Sequence, residues 1–146
     1  MPTPPDGCQM TPNMMITPEG GLAIRVYNDT GTALLKGRVV KANVGVDDAV
    51  VLTAVGDLDP IGIVYADFNT GTWGWIVVAG FADVYVDNAG AVNREDWLGT
   101  SNTTAGQCTA SPIPIPPNAN QHFQEVGHTV RSRTGAGLVR SVLHWN

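Results

Sequence analysis

Apolar and polar side chains alternate along most of the chain beyond residue 20, which is the pattern of half-buried β-strands. Residues 22–28 read Leu-Ala-Ile-Arg-Val-Tyr-Asn, and residues 81–87 alternate in the same way. Residues 34–42 and 50–55 are rich in valine and leucine, and they are also predicted as strands. Turn-forming runs of Gly, Asn, Asp and Thr separate these segments, so the pattern predicts about eight to ten short strands.

A β-hairpin is predicted over residues 60–80. It opens with the apolar run Ile-Gly-Ile-Val-Tyr and returns through residues 73–79, which are mostly β-branched or aromatic. The bend between the two strands is Asn69-Thr70-Gly71-Thr72, whose residues tolerate left-handed dihedral angles and bond to their own backbone. A second hairpin is predicted from residues 123–131 and 138–145, around another Gly-containing turn.

The two predicted hairpins share a sequence pattern. In each, an aliphatic residue followed by Gly begins a strand, at residues 61–64 and at residues 126–130. A Thr-Gly turn follows in both, at residues 70–71 and 134–135, and another strand closes the unit. Short hairpins also recur by chance in all-β chains. The shared order of elements favours an internal pseudo-repeat, over about residues 34–88 and 97–143.

Helical structure is predicted at one place only, a short turn over residues 93–98 with Asn93 as its cap. Residues 111–118 contain a proline at almost every second position and cannot lie inside a sheet, because proline lacks the backbone N–H. They are predicted to run extended over the surface. The sequence therefore predicts an all-β fold, a small β-barrel or sandwich, with almost no helix.

Residues 1–20 form a segment of different character, predicted as an extended arm that precedes a β domain at residues 21–146. Five prolines stiffen it towards extended conformations, and its apolar side chains have no period. A disordered tail is one interpretation. An arm that lies across a neighbouring subunit is favoured, because methionine adapts to irregular apolar grooves. The residues predicted at an interface in this arm are Pro4, Pro5, Met10, Met14, Met15 and Ile16.

Trp73 and Trp75 are the other predicted interface residues. They share one face of their strand, while Ile76 and Val78 occupy the other face, so that both faces of the strand are apolar. One face could therefore be covered by another subunit, because large exposed apolar patches mark interfaces. Packing in the core and packing at an interface are equally compatible with this pattern.

The composition and charge restrict the class of partner. Apolar residues make up 43% of the 146-residue chain, and charged residues make up 14%, against about 25% in an average globular protein. The net charge of −5 disfavours a nucleic-acid partner, because phosphate binding depends on clustered Lys and Arg. No apolar run approaches the roughly 20 residues of a membrane span. Without a secretory signal, Cys8 and Cys108 are expected to be reduced thiols in a protein made in a cytoplasm, and a disulfide between them is the alternative.

Motifs of catalysis and cofactor binding are not found in the sequence. There is no G-x-S-x-G motif, and Cys8 in the arm is a poor platform for a nucleophile. The three histidines, His122, His128 and His144, lack the spacing of an HExxH or His-x-His motif. The basic run at residues 131–137 is interpreted as a hairpin tip, since a phosphate loop would need a following helix. The sequence thus predicts a protein that is not an enzyme, with no metal and no cofactor.

At this level the chain resembles the decoration, or head-stabilising, proteins of tailed-phage capsids. The resemblance covers roughly residues 34–143 and rests on the phrases KGRVVKA, DPIGIVYA, TGTWGWIVVAGFADVYV and QEVGHTVRSRTGAGLVRSVL. It implies a β-tulip-like fold and a structural role in the virion. It further implies binding to the major capsid protein on the outer surface of an icosahedral shell, as a homo-oligomer that is often a trimer, with the N-terminal arm on the coat.

Two other functions are open from the sequence. A carbohydrate-recognising head-fibre or adhesin domain could stack sugar rings on Trp73, Trp75 and Tyr85. A trimeric β-barrel nucleotide hydrolase is a weaker alternative, because no carboxylate motif accompanies its Gly-rich and Arg-rich loops.

Overall fold

The structure is a computed structural model and describes residues 8–112 and 118–145. Its elements in chain order begin with β1 (Cys8–Thr11), β2 (Met14–Ile16), β3 (Gly21–Asn28), β4 (Val39–Ala42), β5 (Ala49–Leu52), β6 (Gly62–Val64) and β7 (Trp73–Val86). They continue with β8 (Ala91–Val92), β9 (Trp97–Thr100), β10 (Cys108–Ser111), α1 (Ala119–Gln124), β11 (Glu125–Thr129), β12 (Arg133–Thr134) and β13 (Gly137–Leu143). The predicted all-β architecture is confirmed. Among the described residues, no helix has the length and apolar character needed to cross a membrane.

Both predicted hairpins are present. β6 pairs antiparallel with the first half of β7, with Ile63 opposite Val77 and Val64 opposite Ile76. β11 pairs antiparallel with β13, with His128 opposite Val142. The strand predicted at residues 81–87 is the continuation of the first hairpin, since β7 runs unbroken for 14 residues.

Five strands of the first half of the chain form a closed ring. β3 pairs in parallel with β5, β5 pairs with β4, and β4 pairs with β6, the last two antiparallel. β6 then pairs with the first half of β7, which pairs antiparallel with β3 and so returns to the starting strand. We call this set of strands ring one.

A second ring has the same plan and shares β7 with ring one. The second half of β7 pairs in parallel with β10 through Val86 and Cys108, and β10 pairs antiparallel with β9. β9 pairs with β11, β11 with β13, and β13 with the second half of β7, all antiparallel. The strands of the two rings correspond one to one. In ring two, β7 takes the place of β3 in ring one, β9 that of β4, β10 that of β5, β11 that of β6, and β13 that of β7.

The agreement between the rings extends to single hydrogen bonds. In ring one, the Gly37 amide donates to Val64 O at 2.9 Å; in ring two, the Glu95 amide donates to Thr129 O at 2.9 Å. Both donors have a positive φ, +84° at Gly37 and +71° at Glu95. The two Thr-Gly turns also correspond, because Gly71 and Gly135 have φ of +74° and +80°. The residues of the sequence echo therefore lie at equivalent places in the two rings.

The predicted helical turn at residues 93–98 is wrong. Trp97 and Leu98 belong to β9, and residues 93–96 form a turn in which the Asn93 amide donates to Asp96 Oδ2 at 2.8 Å. Burial of Leu98 in ring two decides the conformation, since pairing with two strands outweighs local helix propensity over so few residues. The helix is instead α1, where Asn118 and Gln121 form a capping box.

The strand predicted at residues 34–42 is shorter than expected. Only Val39–Ala42 forms β4, and Leu34 makes an isolated bridge to Phe68. Gly37 separates the two parts because its φ of +84° is incompatible with a strand.

Buried apolar side chains of the described residues form three clusters, and β7 contributes to all of them. Trp75 packs with Met15 and Ala23, Ile76 lies in the cluster inside ring one, and Val77 lies in the larger cluster that fills ring two. Three consecutive residues of one strand thus connect the whole core.

The equivalence of Gly37 and Glu95 yields a prediction about stability. We expect Glu95→Gly to raise the free energy of unfolding by about 0.5–1 kcal/mol. The substitution removes the strain of an L-residue in the left-handed region, roughly 1–2 kcal/mol, but the greater conformational entropy of glycine in the unfolded chain offsets part of this gain. We expect Gly37→Ala to lower it by about 2–4 kcal/mol, because the new Cβ would overlap the Leu138 side chain and lie 2.9 Å from the Tyr85 nitrogen. Urea denaturation of the two variants measures both effects, and destabilisation by Glu95→Gly would contradict the equivalence.

Candidate interaction surface

Two clefts on ring one meet at Ile24, Arg25 and Asp48, and we call their combined lining the Arg25 surface. One cleft, of about 450 Å³, lies between the β1–β2 hairpin and the start of β7 and is also lined by Thr11, Asn13, Met14 and Trp73. The other, of about 370 Å³, is also lined by Val26, Ala42, Asn43, Val46, Asp47, Ala49, Val50 and Ile61. The surface is shallow and combines apolar side chains with two acidic residues and one arginine.

Arg25 lies at the centre of this surface and is held by aromatic side chains. Its guanidinium carbon is 4.7 Å from the centroid of the Trp73 ring, within the range of a cation–π interaction. The Trp73 ring in turn packs on Tyr27, with ring centroids 5.5 Å apart. Arg25 Nε is buried and has no hydrogen-bond partner in the described part of the chain. A buried N–H without an acceptor is costly. Because the chain itself covers this atom, a partner could contact only the accessible part of the half-buried Arg25 side chain.

Large apolar side chains remain exposed around the Arg25 surface. Trp73 is 38% exposed, Val46 39% and Ile61 38%. Arginine and tryptophan beside aliphatic groups are the composition that protein interfaces favour. The sequence did not single out Arg25, because alternation placed it on the polar face of β3 without indicating that Trp73 would cover its guanidinium.

The predicted interface residues fall into three groups. Pro4 and Pro5 lie outside the described residues, and Met10 lies in β1 with its side chain outside the described part. Met14 is half-buried and lines the larger cleft, Ile16 is 44% exposed, and Trp73 is also exposed. Met15 and Trp75 are 0% and 3% exposed, so they pack inside the chain and offer no accessible surface to a partner.

Met15 and Trp75 attach the β1–β2 hairpin to ring one. Met15 lies opposite Ala23 in the β2–β3 pair, and the two side chains pack against Trp75. After the strand, the Thr17 amide donates to Gly21 O at 2.8 Å and closes the turn into β3. Residues 14–16, predicted as part of an arm, are therefore a strand of the main sheet.

An ion-pair network joins ring one to ring two. Asp83 on β7 accepts a hydrogen bond from Arg140 Nε at 2.8 Å and lies 3.4 Å from Lys36 Nζ, which precedes β4. Partial burial acts to raise the pKa of Asp83, but the hydrogen bond and charge of Arg140, with the charge of Lys36, outweigh it and lower the pKa. The carboxylate is thus held ionised between the rings.

Cys108 is a core residue. It is fully buried in ring two and its thiol is free. Burial, with a smaller effect of the Asp87 charge, raises its pKa far above the ordinary value, so the thiolate does not form. A thiol in this environment is inert as a nucleophile.

The burial of Met15 predicts how firmly the hairpin is bound. We expect Met15→Ala to lower the free energy of unfolding by about 2–4 kcal/mol, because it leaves a cavity beside Trp75. Ile16→Ala is the matched control from the same strand, and we expect a change of about 0.5 kcal/mol or less because Ile16 is exposed. Denaturant unfolding measures both, and equal effects of the two substitutions would show that the hairpin is not part of the cooperative fold.

The lowered pKa of Asp83 predicts a dependence on pH. A carboxyl group whose folded pKa lies below its unfolded value of about 3.9 stabilises the fold above that pH and loses the contribution as pH falls through the folded value. We expect Asp83→Asn to cost about 1–2 kcal/mol at pH 7, and we expect this cost to shrink below about pH 4. Thermal unfolding from pH 7 to pH 2 measures it, with the exposed Asp29→Asn as control. A cost that stays constant over this range would contradict the assignment.

Comparison with known proteins gives a likeness of fold. No family model matches the chain, and no curated protein matches its sequence. A solved structure, the head fiber gp8.5 N base of bacteriophage phi29, superposes with a TM-score of 0.58 at 14% sequence identity. The superposition covers 84% of this chain and 92% of that chain. The chain is therefore similar in fold, over nearly its whole length, to the base of a phage head fibre.

Proposed function

We propose that the protein is a structural component of a phage head that binds the outer surface of the icosahedral capsid as a decoration, or cement, protein. The observation that carries the proposal is the likeness of fold to the phi29 head fiber gp8.5 N base, which covers 84% of this chain. The pattern of apolar residues and glycines resembles capsid decoration proteins independently of that comparison. Both lines of support point to a protein attached to a phage head.

The Arg25 surface is the part of the chain that we propose contacts the major capsid protein. A backbone carbonyl or carboxylate of the coat would bind the accessible part of the half-buried Arg25 guanidinium. Trp73, Val46 and Ile61 would lose their exposed apolar area around this bond. Arginine and tryptophan at the centre of an interface commonly carry most of its binding energy.

The oligomeric state and the N-terminal arm would strengthen attachment. A trimer would bring three Arg25 surfaces to the shell, so that weak contacts combine through effective concentration. Residues 2–7, which precede the described chain, would add contacts with the coat. Sedimentation equilibrium tests the trimer, for which we expect three times the 15.4 kDa of one chain.

The proposal includes the absence of an enzymatic activity and of a nucleic-acid partner. The net charge of −5 opposes phosphate binding. The thiol of Cys108 is buried and inert, which removes it as a nucleophile. A role in assembly requires no such groups.

Cosedimentation with purified heads tests the proposal. We expect the full chain to bind genome-free heads of its phage in a saturable manner. We expect Val46→Asp to weaken binding by about tenfold or more, because it places an unpaired carboxylate on the Arg25 surface. Val130→Asp is the matched control, since Val130 is a loop valine of ring two with the same 39% exposure as Val46.

Two results would oppose the proposal at different levels. If the full chain does not bind heads, attachment to the capsid is wrong. If the two aspartate variants lose binding equally, attachment stands but not through the Arg25 surface. Deletion of residues 2–7 tests the arm separately and keeps every described strand, whereas a deletion to residue 18 would also remove the buried Met15.

A head-fibre or adhesin domain is the second candidate, and the name of the phi29 protein favours the fibre part of it. The three aromatic residues considered for stacking sugars do not form a common platform. Trp75 is buried, and the ring of Tyr85 is covered by the Arg38 guanidinium at 4.2 Å. Sugar binding would then rest on Trp73, so glycan binding that Trp73→Ala abolishes would support this candidate.

A further inference from the structure

Three side chains with metal-binding atoms converge at the end of the β11–β13 pair. They are Glu125 and His128 of β11 and His144, which directly follows β13. Their ligand atoms all lie within 4.8 Å of one another. We propose that these residues bind a divalent transition metal ion of the Zn²⁺ type. This proposal stands on its own and does not depend on attachment to a capsid.

An irregularity in β11 creates the arrangement. Side chains three residues apart in a regular strand point to opposite faces of the sheet. The pairing of β11 with β9 shifts register between Glu125 and Gly127, which places an extra residue in the strand. Glu125 and His128 are thereby brought to the same side. Gly127 is required at the bulge, because its φ is +159° and a Cβ there would overlap the Val142 carbonyl oxygen.

His144 is brought to the same place by backbone pairing. Its amide donates to Val126 O at 2.7 Å, which continues the β11–β13 ladder by one more bond. The next residue is also fixed, since Trp145 Nε1 donates to Val78 O at 2.7 Å. The imidazole of His144 is therefore carried by an ordered backbone.

Two of the three distances between ligand atoms already match those of a coordination sphere, and the third, between the two imidazoles, is at most 4.8 Å. Glu125 Oε1 lies 3.1 Å from His128 Nε2 and 3.3 Å from His144 Nδ1. Ligands of a tetrahedral zinc ion, with bonds of about 2.0–2.1 Å, are about 3.3 Å apart. A metal ion could be bound with only small side-chain rotations.

The ligand set determines the class of ion. Two imidazoles and one carboxylate suit Zn²⁺ and its neighbours Co²⁺, Ni²⁺ and Cu²⁺, whereas Mg²⁺ and Ca²⁺ prefer oxygen ligands only. The side chains of His128 and His144 are 37% and 62% exposed, so an ion can enter from solvent and keep a fourth position for water. A bound ion would tie the end of β13 to β11, the pair that belongs to ring two.

Titration of the untagged full chain with ZnCl₂ tests the proposal by calorimetry and by thermal unfolding. We expect one ion to bind per chain, and the unfolding midpoint to rise by about 5–10 °C at a hundredfold excess over the dissociation constant, reversed by EDTA. Co²⁺ should give the visible absorption of a low-symmetry nitrogen and oxygen site. MgCl₂ should have no comparable effect.

Two histidine variants make the test specific. We expect His144→Ala to weaken Zn²⁺ binding by at least about tenfold, with little cost to folding because the side chain is exposed. His122→Ala is the control, since His122 is an exposed histidine of α1 outside the cluster. The proposal is overturned if Zn²⁺ binds no tighter than millimolar, or if His122→Ala and His144→Ala reduce binding equally.

Discussion

The backbone pairing of β7 is the constraint on which the rest of the structure depends. Its first half completes ring one with β3 and β6, and its second half completes ring two with β10 and β13. The passage between the halves needs glycine, because Gly80 has a φ of +76° and a Cβ there would overlap the Gly20 carbonyl oxygen. Since Trp75, Ile76 and Val77 enter three different clusters, disruption of this strand would affect the whole core at once.

The two rings share a plan but carry different chemistry. Ring one and its hairpin bear the Arg25 surface, where a buried N–H lacks an acceptor between exposed apolar groups. Ring two bears the cluster of Glu125, His128 and His144. The shared strand β7 fixes the relation between the two surfaces, and the Lys36–Asp83 ion pair adds a contact between the rings. The shared plan thus carries two separate candidate binding surfaces, one on each ring.

The sequence predicted correctly the elements whose conformation is determined by residues close together in the chain. Alternating β-branched residues and Thr-Gly turns located both hairpins, because turn geometry at Gly71 and Gly135 depends on neighbouring residues only. Burial depends on distant partners, and alternation could not show that Met15 would meet Trp75 while Trp73 stayed exposed. The helical turn predicted at residues 93–98 was wrong for the same reason, since Leu98 pairs with distant residues as part of β9. The His144 cluster was missed because it needs a bulge and a contact between residues far apart in sequence.

Closure of the rings also limits the number of exposed strand edges that could pair with another copy of the chain. A strand with a hydrogen-bonded neighbour on each side has no backbone groups left to recruit a strand from another copy. Among the described residues, β1 is the terminal strand of the main sheet, and it is only four residues long, with an irregular register between Gln9 and Thr11. Short, irregular edges are poor templates for further pairing. At high local concentration, the β1 edge is therefore a weak site for edge-to-edge pairing with another copy.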